Sequence, residues 1–184
     1  MTCIIGLQTK DCVYIGGDSA GVSDLSIWIR RDEKVFKNQS FIMGFTTSFR
    51  MGQLLRFKFK PPKNKYNDDY EYMVTDFIDA VKKCFDDNDF GSKGKGGSEG
   101  GQFLVGYKGN LYEISDDYQV AMTYLPFNAV GCGAQIALGS LYTTHSLSTP
   151  MDPEERINMA LNAAAQFSAG VSAPFIIVKQ KKKK

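Results

Sequence analysis

The apolar residues of this chain change their spacing several times, and the resulting order of strand-like and helix-like stretches restricts its fold more than any other feature. Apolar runs at residues 3–7 and 12–15, separated by a turn at Lys10-Asp11, read as a first pair of strands ahead of Gly16-Gly17-Asp18-Ser19. Leu25, Ile27 and Ile29 alternate, with Trp28 on the other face. Residues 34–37 and 41–45 form a second antiparallel pair through Asn38-Gln39-Ser40. The period then becomes helical. Phe49, Met51, Leu54, Leu55 and Phe57 line one helix, which breaks at Pro61-Pro62. Tyr70, Met73, Val74, Phe77, Ile78, Val81, Cys84 and Phe85 fall at the three- and four-residue spacings of a second. Asn67, Asp68 and Asp69 cap it.

Strands return after a glycine-rich stretch, residues 91–101, that reads as a mobile link. Residues 102–107 and 111–115 make a hairpin across Lys108-Gly109-Asn110, and residues 119–124 and 128–130 continue as strands. Gly131-Cys132-Gly133 leads into a helix through Leu138 and Leu141. Asp152-Pro153-Glu154-Glu155 opens another, with Ile157, Ala160, Leu161 and Ala164 on one face. Residues 175–178 close as a buried strand. The order is strands, two helices, strands, two helices and a last strand, a mixed α and β chain.

Several function classes are disfavoured by composition. No run of about 18 apolar residues could span a membrane, and the start lacks the basic segment and apolar core of a secretory signal, so a soluble, cytoplasmic protein is expected. The formal charge of +2 is misleading, because Lys179 and Lys181 to Lys184 supply five of the 22 basic residues and the remainder is mildly acidic. No extended nucleic-acid surface follows. One domain over residues 2–178 with a disordered basic tail at 179–184 is expected.

No cofactor or metal is expected either. Cys3, Cys12, Cys84 and Cys132 show no Cys-x-x-Cys spacing and read as small buried hydrophobes without disulfides. The glycine stretch lacks the Gly-x-x-x-x-Gly-Lys-Ser/Thr order of a phosphate loop, and Ile136 stands where a dinucleotide motif beginning at Gly131 needs its third glycine. The lone histidine, His145, reads as a surface or helix-end side chain, with no Gly-x-Ser-x-Gly elbow to support a serine triad.

One pattern does carry chemistry. Thr2 directly precedes the first strand, so removal of Met1 would leave one residue holding both a hydroxyl and an α-amine. The amine's ordinary pKa of roughly 7.7–8 suits a general base at neutral pH. The motifs Thr2-x-Ile4-Ile5-Gly6, Gly16-Gly17-Asp18-Ser19, Lys34-Val35-Phe36 and Ile42-Met43-Gly44-Phe45 together resemble the proteasome β-subunit family of N-terminal nucleophile hydrolases. The resemblance extends to its bacterial HslV-type branch, which also starts Met-Thr. The separations from Thr2 to Asp18 and from Thr2 to Lys34 match that family without a gap.

The resemblance implies an α+β fold, a four-layer αββα sandwich. It also implies a threonine-type endopeptidase acting on peptide or unfolded protein, working as a subunit of a homo-oligomeric ring that an AAA+ unfoldase ATPase could feed. Thr2 would be nucleophile and base, Lys34 the charge beside its hydroxyl, and Asp18 the carboxylate that orients Lys34. The oxyanion donor would be a backbone N–H at Thr46 or Thr47, where relatives usually carry glycine, and a β-branched residue restricts the dihedrals that aim it. Cys132 occupies the serine position of a Gly-Ser-Gly segment and is a poorer hydrogen-bond partner. Ala169 stands where many relatives have aspartate, while Ser172 matches their following serine. Two alternatives share these residues: an amidase acting on a small amide, and a catalytically silent proteasome-like subunit. Cleavage after Thr2, exposing Cys3, would shift the spacings by one and is discounted.

Overall fold

The computed structural model of the chain describes residues 1–94 and 97–182. Strands β1 (Ile4–Gln8) and β2 (Cys12–Gly17) pair antiparallel, Ile4 opposite Gly17 and Leu7 opposite Tyr14. Next come β3 (Ala20–Ser23), β4 (Ser26–Ile29), β5 (Val35–Asn38) and β6 (Phe41–Phe45). Helix α1 (Phe49–Phe57) and then α2 (Asp69–Tyr72), which continues through a π turn (Met73–Phe77) into α3 (Ile78–Asp86), make up the first helical stretch. Strands β7 (Ser92–Gly94), β8 (Gly97–Glu99), β9 (Phe103–Tyr107), β10 (Asn110–Ile114), β11 (Val120–Ala121) and β12 (Phe127–Val130) follow. Helices α4 (Ala134–His145) and α5 (Pro153–Phe167) and strand β13 (Ile176–Lys181) complete the chain.

Two sheets face each other, one in the order β12-β1-β2-β13 and the other β11-β10-β9-β6-β5. Ile4, Val13, Ile15, Val35, Ile42 and Leu104 fill the space between them. The alternate residues of β1, Ile5 and Leu7, point outward and pack under α4 and α5 against Leu141, Ile157 and Leu161. Phe36, Met43 and Val105 of the second sheet pack under α1, α2 and α3 against Leu54, Phe77 and Phe85. Both faces of each sheet are therefore apolar, and the layers run helix, sheet, sheet, helix. This is the expected αββα sandwich.

Local differences from the sequence reading have identifiable causes. The π turn inserts one residue into the helical phase, so Tyr72 rather than Tyr70 joins Met73 and Phe77 in the core, and Tyr70 and Val74 are exposed. Asp68 caps this helix by accepting from the Tyr70 N–H at 2.9 Å. Phe57 is exposed because it lies off the Met51, Leu54 and Leu55 stripe of α1. Among the described residues β4 pairs only with β3, in a hairpin of its own, so Ile27, Trp28 and Ile29 are all exposed instead of dividing between two faces. Within the stretch read as a mobile link, Ser92–Gly94 and Gly97–Glu99 pair antiparallel, while residues 95–96 lie outside the described residues.

The last strand runs three residues past its expected end. Lys179 and Lys181, assigned above to a disordered tail, pair with Tyr14 and Cys12 because β2 extends that far and needs a partner along its length. Lys179 also forms an ion pair with Glu154 at 2.8 Å. Residues 183–184 of the expected tail lie outside the described residues.

Candidate active site

The strand pairing brings the three candidate residues together. Thr2 stands two residues before β1, Asp18 directly follows β2 and Lys34 directly precedes β5. Pairing of Ile4 with Gly17 carries Asp18 alongside Cys3, whose N–H donates to Asp18 Oδ1 at 2.9 Å. Asp18 Oδ2 accepts from the N–H of Ala20 at 2.9 Å and of Ser172 at 3.4 Å. Lys34 is fixed from the second sheet, its carbonyl accepting from the Phe45 N–H at 3.1 Å.

Lys34 Nζ crosses between the sheets and donates to Asp18 Oδ1 at 2.9 Å and to Thr2 Oγ1 at 2.8 Å. All three residues are buried, with 3% of Thr2, 1% of Asp18 and 2% of Lys34 exposed. Burial pushes the Lys34 ammonium below its ordinary pKa, and the adjoining Asp18 carboxylate opposes that shift. A charge taken out of water this completely survives only with partners; removing one partner of such a pair costs about 3–5 kcal/mol. The pair therefore delivers a held positive charge to one hydroxyl.

Thr2 is held on its other side by the loop before α4. Its N–H donates to Cys132 Sγ at 3.2 Å, and its carbonyl accepts from Cys132 Sγ at 3.4 Å and from the Gly133 N–H at 3.3 Å. Gly131 has a φ of +99°, and a Cβ there would fall on the Thr2 carbonyl, so this close approach requires glycine. Of the four cysteines expected to be buried, Cys3 is, Cys12 and Cys84 are half-buried, and Cys132 is exposed because it sits in the loop before α4 rather than in a core-facing element. Thr2 Oγ1 also donates to the Met1 carbonyl.

Of the two candidate oxyanion donors, the Thr46 N–H is engaged with the Gln102 carbonyl at 3.1 Å, which leaves Thr47. Thr47 has a φ of +69°, the left-handed region where glycine is most easily accommodated. The departure from glycine thus keeps the backbone shape and accepts strain of roughly 1–3 kcal/mol. Met1, Thr2, Val22, Phe45, Thr46, Thr47, Ser48 and Phe49 line one cleft of about 60 Å³, so Thr2 and Thr47 border a common space.

The remaining candidates contribute no side chain to this arrangement. Ser172 contributes its backbone N–H to Asp18, while its hydroxyl turns to the Ala173 carbonyl. Cys3 is fully buried, and burial raises its thiol to about 12, so it is no nucleophile at neutral pH. His145 ends α4 with its ring edge-on to Phe127. Ser168, which donates to Cys132 Sγ at 3.4 Å, went unnoticed in the sequence because it lies 36 residues from that cysteine in no recognisable motif. No helix among the described residues is long and apolar enough to cross a membrane.

No family model and no curated protein matches the sequence. Solved structures do. The fold is similar to that of Thiobacillus denitrificans BPH in complex with epoxomicin, at a TM-score of 0.82 and 15% identity over 99% of this chain and 100% of the other. It is also similar to eukaryotic HslV from Trypanosoma brucei, at 0.69 and 14% over 97% and 99%. Anbu from Pseudomonas aeruginosa, described as a helical assembly, matches at 0.65 and 13% over 97% and 81%. The fold is thus the αββα sandwich of the proteasome-like hydrolases. BPH and HslV share that fold with this chain over nearly the whole length of both, and Anbu over 81% of its own chain.

Proposed function

We propose that this protein is an N-terminal threonine hydrolase that cleaves peptide bonds, active once Met1 has been removed. The observation that carries the reading is the buried Lys34 Nζ, at hydrogen-bond distance from both Thr2 Oγ1 and Asp18 Oδ1. A structural ion pair needs no third partner, whereas a nucleophile's hydroxyl does.

With Met1 present, the Thr2 nitrogen is an amide whose lone pair is delocalised, and it cannot act as a base. Without Met1 the amine takes the Oγ1 proton as Oγ1 attacks the substrate carbonyl. Lys34 stabilises the developing negative charge on Oγ1, and the Thr47 N–H receives the oxyanion. The Thr2 ammonium then protonates the leaving amine, giving an ester on Thr2. Water, deprotonated by the same amine, hydrolyses that ester and restores the site.

Ring assembly with other copies of the chain belongs to the same reading. HslV and the helical Anbu assembly share the fold, and the exposed Leu25, Ile27, Trp28 and Ile29 of the β3–β4 hairpin offer apolar surface for a neighbour to cover. The substrate would be peptide or unfolded protein reaching a cytoplasmic chamber, with an AAA+ unfoldase as the partner that feeds it. A silent structural subunit is the second reading, favoured by Thr47, a β-branched residue holding a left-handed φ of +69° at the oxyanion position, and by Ala169 where relatives carry aspartate.

Intact mass before and after incubation with epoxomicin separates the two. Loss of Met1 and a single adduct that Thr2→Ala abolishes is the expected result. A retained Met1 with no adduct would overturn the hydrolase reading in favour of the silent subunit.

A further inference from the structure

We propose that Ser168 is a positioning residue that acts through Cys132 on the Thr2 nitrogen, taking the place of the absent carboxylate at Ala169. The inference rests on the hydrolase reading above and specifies how its base is oriented.

Three contacts converge on one sulfur. The Thr2 N–H approaches Cys132 Sγ at 3.2 Å, the Ser168 hydroxyl donates to it at 3.4 Å, and the sulfur's own hydrogen is directed to the Thr2 carbonyl at 3.4 Å. Because two donors already point at Sγ, its hydrogen has one remaining polar direction, and the set has a single orientation from Ser168 through Cys132 to Thr2. A thiol is a weak partner by itself. Cys132 is exposed, so with no second contact its side chain could turn among rotamers toward solvent.

The placement of Ser168 is rigid. It directly follows α5, its N–H donates to the Ala164 carbonyl at 2.9 Å, and its carbonyl accepts from the Val171 N–H at 3.1 Å. Gly170 closes the other side, where an added Cβ would come within 2.7 Å of Cys132 Sγ. Serine hydroxyl and glycine backbone thus bracket the sulfur, and neither role follows from the spacing of known motifs.

Once Met1 is gone, the Thr2 nitrogen gains protons to donate to Sγ while its lone pair must face Oγ1. Ser168 fixes Sγ and so selects which way that lone pair points. It also competes for the sulfur's electron density, which weakens the sulfur's hold on the ammonium and keeps the amine less basic. The titratable groups around this nitrogen are Cys132 from the loop before α4, Asp18 after β2, Lys34 before β5 and Cys3 just before β1; the segment carrying Ser168 adds none.

The test uses full-length protein with a mass-verified Thr2 N-terminus and follows inactivation by epoxomicin against pH. Ser168→Ala should lower the maximal inactivation rate by about tenfold with an unchanged half-saturating concentration, and should move the ascending limb of the pH profile to higher pH. Ser168→Thr, which keeps the hydroxyl, should restore the rate to within about threefold. In a Cys132→Ala background, Ser168→Ala should have no further effect. A wild-type rate and pH profile in Ser168→Ala, or an equal loss in both backgrounds, would overturn the proposal. A wild-type protein that carries a free Thr2 yet forms no adduct would instead overturn the hydrolase reading, and this inference with it.

Discussion

Lys34 reaches Thr2 across the space between two sheets, its Nζ 2.8 Å from Thr2 Oγ1, although 32 residues of chain separate them. Neither residue belongs to a strand; each sits just beyond the end of one, where backbone pairing sets position and leaves the side chain free to serve the site.

Lys34→Met keeps much of the buried side-chain volume and removes the charge. Epoxomicin adduct formation should slow by at least about 10², followed by intact mass over time. The variant also leaves the Asp18 carboxylate buried without its cation, so urea denaturation should show a loss of about 3–5 kcal/mol. A rate close to wild type would remove Lys34 from the mechanism.

Thr47 adopts a left-handed backbone that a β-branched residue disfavours. Thr47→Gly should therefore raise stability by about 1 kcal/mol after allowing for glycine's greater freedom in the unfolded chain. Thr47→Val, which keeps the branch, should bring no gain. Thermal unfolding of the two variants side by side decides whether the strain is real.

Stability above neutral pH should depend on Cys3. Its folded thiol is raised from the ordinary 9.0 to about 12 by burial, with the Asp18 charge adding to the effect. Above pH 9 the unfolded chain releases this proton while the folded chain retains it. The stabilisation is therefore fully present below 9 and is lost as pH rises toward 12, by about 1.4 kcal/mol per unit. Lys34, lowered on folding, acts in the opposite direction as its own window is crossed. Comparison of wild type with Cys3→Val at pH 8 to 10 cancels that contribution; the difference between the two should shift steadily against the wild type above pH 9.

Asn38 separates stability from catalysis. Its buried Nδ2 donates to the carbonyls of Leu55 at 2.8 Å and Phe59 at 3.0 Å, tying the end of β5 to the end of α1. Asn38→Ala leaves two carbonyls short of a donor and should lower stability by about 2 kcal/mol. It touches nothing at Thr2, so the epoxomicin rate at 25 °C should remain within about twofold of wild type.

Much of this molecule was legible because its signals are local. The hairpin across Gly109, the Asp152-Pro153 helix start and the strands flanking Lys10-Asp11 are each set by residues within a few positions of one another. The helix from Asp69 was legible in extent but not in phase, since one extra residue in its π turn replaced Tyr70 with Tyr72 in the core. Strand β4 was readable as a strand, yet its exposure was not, because alternation says nothing about whether another layer exists to cover a face.

At the site, the spacing of Thr2, Asp18 and Lys34 was visible in the sequence, since strand lengths and turn lengths set where each strand end falls. Their mutual distances were decided by the stacking of two sheets through Ile4, Ile15 and Val35, which lets Lys34 from one sheet meet Asp18 from the other away from water. The choice of Thr47 over Thr46 depended on which N–H the Gln102 strand end already engaged. The convergence of Ser168 and Gly170 on Cys132 arose only when α5 packed against β1 and β2. Local chemistry sets elements and their ends, whereas contacts between residues tens of positions apart, such as Lys34 with Thr2, or over a hundred apart, such as Cys132 with Thr2, exist only when the packed core fixes where those ends meet.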